Sequence, residues 1–199
     1  MNKKKVSKSD KYSSLTVSQI EAELNKEKYK EKYFKILKST IYSLIIVASV
    51  ATLIATLVMP VLQISGSSMT PTFKEGEIVI SLKTKNLEKG DIIAFYHSNK
   101  ILVKRVIAGA GDWVNITDDG SVYINGKLKK EPYITKMSLG NSDIEFPYQV
   151  TDGHWFVLGD QRETSIDSRN SEIGSVSQDD IVGKIIFRVW PLKKLGRIK

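Results

Sequence analysis

The sequence predicts a mainly β domain carried behind one N-terminal membrane helix, and three observations predict it. No charged residue occurs from Ser39 to Phe73, and within that stretch Ile41 to Met59 is a run of Ile, Leu, Val and Ala with a few Ser, Thr and Tyr. After residue 62 the pattern turns to short apolar alternations, with no helical periodicity of comparable length. Those alternations are divided by Asp119-Gly120, Asn125-Gly126 and Asp152-Gly153, dipeptides that tolerate the positive φ of tight hairpins. Short antiparallel strands in that number are expected to form a closed or partly closed β-barrel.

The elements follow in chain order. Residues 1–38 form a basic segment in which the first dozen residues are expected to lack structure. The part from 14 to 38 starts with Ser and Thr and runs without Gly or Pro, as a polar helix does. Glu23, Glu27 and Glu31 recur beside Lys neighbours, which fits intrahelical pairs or a coiled-coil contact equally well. Residues 39–61 have the length a bilayer core requires, about 20 residues at about 1.5 Å each. A secretory signal has a shorter apolar region closer to the chain start, and a buried core helix is rarely apolar all round. Lysines 26, 28, 30, 32, 35 and 38 crowd the near side of the span, and the next lysine beyond it is Lys74. Basic loops stay inside, so the N-terminus is assigned to the cytoplasm and residues 62–199 to the extracytoplasmic side. Tyr33 and Tyr42 then fall at the headgroup level.

Strands are expected over Glu77–Ser81, Asp91–Tyr96, Ile101–Ile107, Trp113–Thr117, Ser121–Ile124, His154–Leu158 and Ile181–Trp190. The hairpin signals group about 113–153 into a small β subdomain within the larger one. Cysteine is absent, which excludes disulfides, thiolate metal ligands and a thiol nucleophile. The net charge is +8, but residues 1–40 hold eleven Lys against five acidic residues, and the remainder is nearly balanced with 19 basic and 17 acidic. A nucleic-acid binder spreads basic surface over its folded domain, so this distribution points to a lipid bilayer and away from nucleic acid.

Chemistry concentrates in two runs. Ser68 lies in Ile64-Ser-Gly66-Ser-Ser68-Met-Thr-Pro-Thr72 directly after the span, and Lys104 lies in Ile101-Leu102-Val103-Lys104-Arg105-Val-Ile107. A serine hydroxyl needs a base, and a lysine serves only when neutral. In a strand, Leu102, Lys104 and Val106 share one face, and Val103, Arg105 and Ile107 the other. The two cations then point apart and apolar neighbours flank Lys104, as a depressed amine pKa requires. A surface lysine on an amphipathic strand is the plain alternative for Lys104 alone; its pairing with the Ser68 run favours the dyad.

At that pairing the chain resembles the bacterial type I signal peptidases, membrane-anchored Ser-Lys proteases of the S26 class that remove signal peptides. The likeness covers the apolar anchor, Gly66 to Thr72, Lys104-Arg105-Val106 with Gly111-Asp112, and Gly159-Asp160-Gln161-Arg162 with Ser165 to Arg169 and Gly174. It implies a signal-peptidase-like β-barrel catalytic domain with a small β insertion. It also implies Ser68 as nucleophile, Lys104 as general base and Ser165 as the serine that orients the lysine amine. Asp160 with Arg105, and Asp167 with Arg169, match supporting ion pairs. Gln161 stands where Asn is usual, Ala108 and Ala110 where Gly and Pro are common, and the spacer before Gly174 is longer. Gly66 occupies the place of an oxyanion-binding serine in Gram-negative members, so the Gram-positive pattern leaves the oxyanion chiefly to the Ser68 N–H.

The expected substrates are secretory preproteins cut after small residues of the Ala-x-Ala kind through an acyl-enzyme. Ile64 and Gly66, and Ile101, Leu102 and Val103, are candidate edges along which an extended substrate adds as a strand. No metal or cofactor is implied. Asp118-Asp119 and Asp179-Asp180 are adjacent pairs that face opposite ways. His97 and His154 lie in turn-like contexts and read as structural, Gly109-Ala-Gly111 as a turn, and Trp113, Trp155 and Trp190 as core or membrane anchors. The rival functions are processing of dedicated, pilin-like substrates and a catalytically silent membrane-anchored β-barrel binding module. A self-cleaving repressor of the LexA type shares Ser-Lys chemistry but carries a DNA-binding helix-turn-helix in place of the span.

Overall fold

A computed structural model describes residues 16–198; the expectation for the first dozen residues concerns positions outside these. A single helix, α1, runs from Val17 to Val58. Its start is capped by Gln19, whose Oε1 accepts from the Thr16 N–H at 3.0 Å and from its hydroxyl at 3.0 Å, which satisfies a donor that the first turn leaves free. The polar segment and the apolar stretch are therefore one continuous element. At about 1.5 Å per residue its length exceeds a bilayer core, and it is the one helix among the described residues long and apolar enough to cross a membrane. The hydroxyls in its apolar part bond back to the preceding turn, Ser49 to the Ile45 carbonyl and Thr52 to that of Ala48, each at 2.8 Å. Lipid offers no partner to such groups, so the helix must supply its own. The exposed pairs Lys26–Glu23 and Lys30–Glu27 are spaced i,i+3 and add little.

The apolar stretch divides at Pro60, which has no N–H to continue a helix. The first strand, β1 (Val61–Gln63), begins immediately after it. Eleven further strands follow: β2 (Ile78–Leu82), β3 (Ile92–His97), β4 (Lys100–Gly109), β5 (Trp113–Ile116), β6 (Val122–Ile124), β7 (Lys127–Leu128), β8 (Tyr148–Gln149), β9 (His154–Leu158), β10 (Val176–Ser177), β11 (Ile181–Trp190) and β12 (Gly196–Arg197). All seven strands expected from the alternations are present. The main sheet runs β1-β2-β11-β3-β4-β9-β10, with β12 on β11, and every pairing is antiparallel. No pairing joins β1 to β10 among the described residues.

A second, four-stranded sheet, β7-β6-β5-β8, is the small β insertion. Asn125 and Gly126, at φ 51° and 76°, make the β6–β7 turn that their dipeptide signals. This sheet packs through Val114, Ile116 and Val122 against Ile107, Ala108, Phe156 and Leu158 of β4 and β9. Two further apolar clusters flank β4. Val106 packs with Ile93, Phe95 and Val157, with Leu102 beside them, and Val103 lies against Ile64, Met69, Phe73 and Ile92. The mainly β fold with one N-terminal apolar helix thus agrees with the reading of the sequence.

Candidate active site

Strand β4 carries both cations of the lysine run into the interior, with Lys104 3% and Arg105 4% exposed. Alternation separates them as expected. Lys104 lies opposite Ile93 across the β3–β4 ladder, and its neighbours Leu102, Val106 and Ile93 belong to one apolar cluster. Burial there lowers the amine from 10.5 to about 8, a drop that Asp167 partly opposes, Arg169 reinforces and Asp160 opposes. No carboxylate forms an ion pair with Lys104 among the described residues.

Ser68 stands in the loop after β1. Gly66 sits at φ 79° with nothing near its missing Cβ, so backbone conformation, not space, favours glycine there. The turn beyond is closed by Thr70 N–H to Ser67 carbonyl at 2.9 Å and Phe73 N–H to Met69 carbonyl at 2.8 Å, with Met69 and Phe73 buried beneath. The apolar residues of the run therefore anchor the loop, and Ser68 is left half-buried at its surface. Its carbonyl accepts from the Gln161 N–H at 3.0 Å, which docks the loop on the segment following β9.

That segment is held by three buried arginines. Arg105 grips Asp160 through Nε–Oδ1 at 2.9 Å and Nη2–Oδ2 at 2.8 Å, and Asp160 also accepts from the Thr72 hydroxyl. Arg169 grips Asp167 through Nε–Oδ1 and Nη2–Oδ2, both 2.8 Å, while Asp167 Oδ2 accepts from the Gly159 N–H at 2.9 Å. Its remaining donors reach the carbonyls of Leu139 at 2.6 Å and Arg162 at 2.9 Å. Bidentate geometry of this kind fixes orientation as well as charge. Both ion pairs singled out in the sequence are therefore formed. The third was not anticipated: Arg162 pairs with Glu131 at 2.7 and 2.8 Å and donates to the Gly159 carbonyl at 3.1 Å. Glu131 comes from the chain after β7 and also accepts from Tyr133 at 2.6 Å, whose ring lies 3.9 Å beneath the Arg105 guanidinium. Burial and the Glu131 carboxylate hold the Tyr133 phenol far above its usual range. Arg162 belongs to the Gly159-Asp160-Gln161-Arg162 run, but no local signal ties it to an acid 31 residues earlier.

Ser165 is 2% exposed, and its hydroxyl has no hydrogen-bond partner among the described residues. It packs against Gly159 so closely that a Cβ there would meet Ser165 Oγ, and would lie 2.6 Å from the Ser68 carbonyl oxygen. Gly159 thus lets the Ser68 loop and Ser165 approach from two sides.

Two cavities meet at Ser68, Leu102 and Lys104. One, of about 200 Å³, lies between Leu62–Ser65 and Ile101–Val103. The other, of about 530 Å³, extends past Gly66 and Ser67 to His97, Lys100 and Glu172. On the first cavity, β4 pairs with β3 throughout, but its pairing with β9 begins only at Arg105. The outer edge of Ile101, Leu102 and Val103 is therefore open to another strand. Ile64 differs from the expectation: its N–H and carbonyl are taken by Glu77 and Gly76 at 2.8 and 2.9 Å, so it contributes a side-chain wall and no free edge. His97 ends β3 on the second cavity, and His154 Nδ1 lies 2.9 Å from the Asp152 carbonyl oxygen, away from it. No group of three or more metal-ligating side chains occurs among the described residues.

Comparison with known proteins bears on this arrangement. A family model described as signal peptidase, peptidase S26, matches residues 37–190. Signal peptidase IB of Staphylococcus aureus is 41% identical over 152 residues, spanning 66% of this chain and 78% of the relative. Signal peptidase I T of Bacillus subtilis is 37% identical over 149 residues, spanning 68% and 76%. A crystal structure of a signal peptidase I from Enterococcus faecalis is similar with a TM-score of 0.42 at 30% identity, covering 51% of this chain and 98% of that one.

Proposed function

The chain belongs to the signal peptidase family, peptidase S26, and from that premise we propose that it is a membrane-bound serine endopeptidase that removes signal peptides from secretory preproteins with a Ser68–Lys104 dyad. The observation that carries the dyad is the buried, unpaired Lys104 amine, lowered to about 8, on the same two cavity walls as the half-buried Ser68 hydroxyl. A lysine buried without a carboxylate costs stability, and a base is what that cost provides.

The steps follow from the groups present. The precursor lies extended along the open edge of Ile101–Val103, with small side chains of the Ala-x-Ala kind in the narrow cavity. Neutral Lys104 accepts the Ser68 proton as Oγ attacks the scissile carbonyl. The Ser68 N–H, which bonds to no protein acceptor among the described residues, donates to the oxyanion. The lysine ammonium then protonates the departing amine, leaving an acyl ester on Ser68. Water, deprotonated by the same amine, hydrolyses the ester and restores the dyad. Ser165 orients the amine, and the Asp160–Arg105 and Asp167–Arg169 pairs hold the loop that carries it.

The apolar part of α1, from residue 39 to Val58, anchors the chain in the cell membrane, residues 1–38 lie in the cytoplasm, and the β domain is the extracytoplasmic catalytic domain, in keeping with the lysines before the span; the anchor stops short of residue 61 because Val61 opens β1. The test is cleavage of a labelled Ala-x-Ala precursor by the full chain in detergent. Loss of product in both Ser68→Ala and Lys104→Ala, with fold retained, is expected. Product from Lys104→Ala at the wild-type rate would discard the lysine base.

A further inference from the structure

The two cavities at the dyad differ in size and in charge. The narrower one lies between Leu62–Ser65 and Ile101–Val103 with Lys104 its only charged residue, whereas the one of about 530 Å³ also carries His97, Lys100 and Glu172 on its lining, beside Thr164 and Ile166. An endopeptidase holds its substrate on both sides of the bond it cuts. Small residues on the acyl side fill the narrow cavity, which leaves the larger one to the segment released as the amine.

The ionisable groups on that larger cavity are not neutralised by the protein. Arg105, Arg162 and Arg169 behind it each have a carboxylate partner. Lys100 and Glu172, among the described residues, form an ion pair neither with each other nor with another group, although both are on its wall. Glu172 is bonded only through its N–H, to Asn170 Oδ1 at 2.9 Å. Unpaired charges on the wall of a site draw in opposite charges and repel like ones, and they select among ligands more than they tighten all of them.

With Ser68 as the nucleophile, a reading on which this step rests, we propose that the larger cavity binds the first residues of the released mature chain, and that Lys100 and Glu172 set its charge preference. Lys100 favours acidic side chains in that segment and Glu172 favours basic ones. Because Lys100 and Glu172 act through charge at an open wall, the discrimination depends on salt.

Full-length protein in detergent is assayed with two precursor peptides that share one signal side and differ only in Asp or Lys at the second to fourth residues after the cleaved bond. The ratio of kcat/KM for the Asp peptide to that for the Lys peptide is measured for wild type, Lys100→Glu and Glu172→Lys. Reversal of an exposed charge is expected to move this ratio by about five- to ten-fold, downward for Lys100→Glu and upward for Glu172→Lys. Both shifts should contract at about 0.5 M salt, where exposed charges are screened within a few ångströms. An unchanged ratio in both variants, or a loss shared equally by the two peptides, overturns the proposal. The Ser68→Ala enzyme separates the two levels: an inactive Ser68→Ala with unshifted ratios discards only the role of the cavity, and an active one discards the nucleophile.

Discussion

Replacing Lys104 with Met keeps an unbranched side chain one atom shorter and removes its charge, so it measures what burying that amine costs. In the fold the pKa stands at about 8 against 10.5 in the open chain. A folded pKa below the unfolded one means that the fold disfavours the proton. The cost is fully present below pH 8 and fades as pH rises towards 10.5. At about 1.4 kcal/mol per unit it amounts to about 3 kcal/mol at pH 7 and about 2 at pH 9, and it has nearly vanished at pH 10.5. Lys104→Met should therefore be more stable than wild type at pH 7, and its advantage should shrink by about 2–3 kcal/mol between pH 7 and 10.5. Any difference in packing between Met and Lys adds a constant and leaves this slope untouched. Guanidinium denaturation of the full chain in detergent, followed by tryptophan fluorescence, is the assay. All three tryptophans, Trp113, Trp155 and Trp190, lie in the β domain, so the signal reports that domain and not the helix. A stability difference that stays flat from pH 7 to 10.5 would refute the buried, depressed amine.

Other outcomes follow from the same geometry. The kcat/KM of the wild type should rise with pH along a one-proton limb centred near 8, with about a tenth of Lys104 neutral at pH 7; a profile flat between pH 6 and 9 would count against the base. Gly159→Ala should lower kcat by about 100-fold or more in a precursor assay, because a Cβ there meets both Ser165 and the Ser68 carbonyl. Ser165→Ala removes a buried hydroxyl that has no partner, so it should leave stability unchanged or raise it by about 1 kcal/mol while cleavage falls; denaturation and turnover measured on one sample check both halves. Glu131→Ala leaves the Arg162 guanidinium buried and unpaired, and denaturation should show a loss of about 3–5 kcal/mol.

Local patterns made most of this arrangement legible. Alternation placed Lys104 and Arg105 on opposite faces of β4 because a strand has a period of two whatever surrounds it. The dipeptides at 119–120 and 125–126 announced the small sheet because their backbone chemistry is intrinsic. What escaped was set by contacts distant in sequence. Glu131 is one of 22 acidic residues, and only the packing of the small sheet against β4 and β9 delivers it to Arg162. The taking up of Ile64 by Gly76 and Glu77 likewise depends on where the chain returns after the Ser68 loop. Strand β1 was hidden because its three residues continue an uncharged stretch, and Pro60 alone marks the change.

Arg169 joins parts of the chain that a cysteine-free sequence cannot tie covalently. Its guanidinium holds Asp167 two residues away and the carbonyls of Ser138 and Leu139, about 30 residues earlier in the chain. The cross-link is made of charge and main-chain oxygen, so thiols and oxidants leave it intact. Reductant in the buffer, or a change in the redox poise around the protein, will not loosen the segment that carries Ser165. The loop from Gly159 to Arg169 is stapled in a way that needs no oxidative folding machinery and offers no bond for such machinery to shuffle.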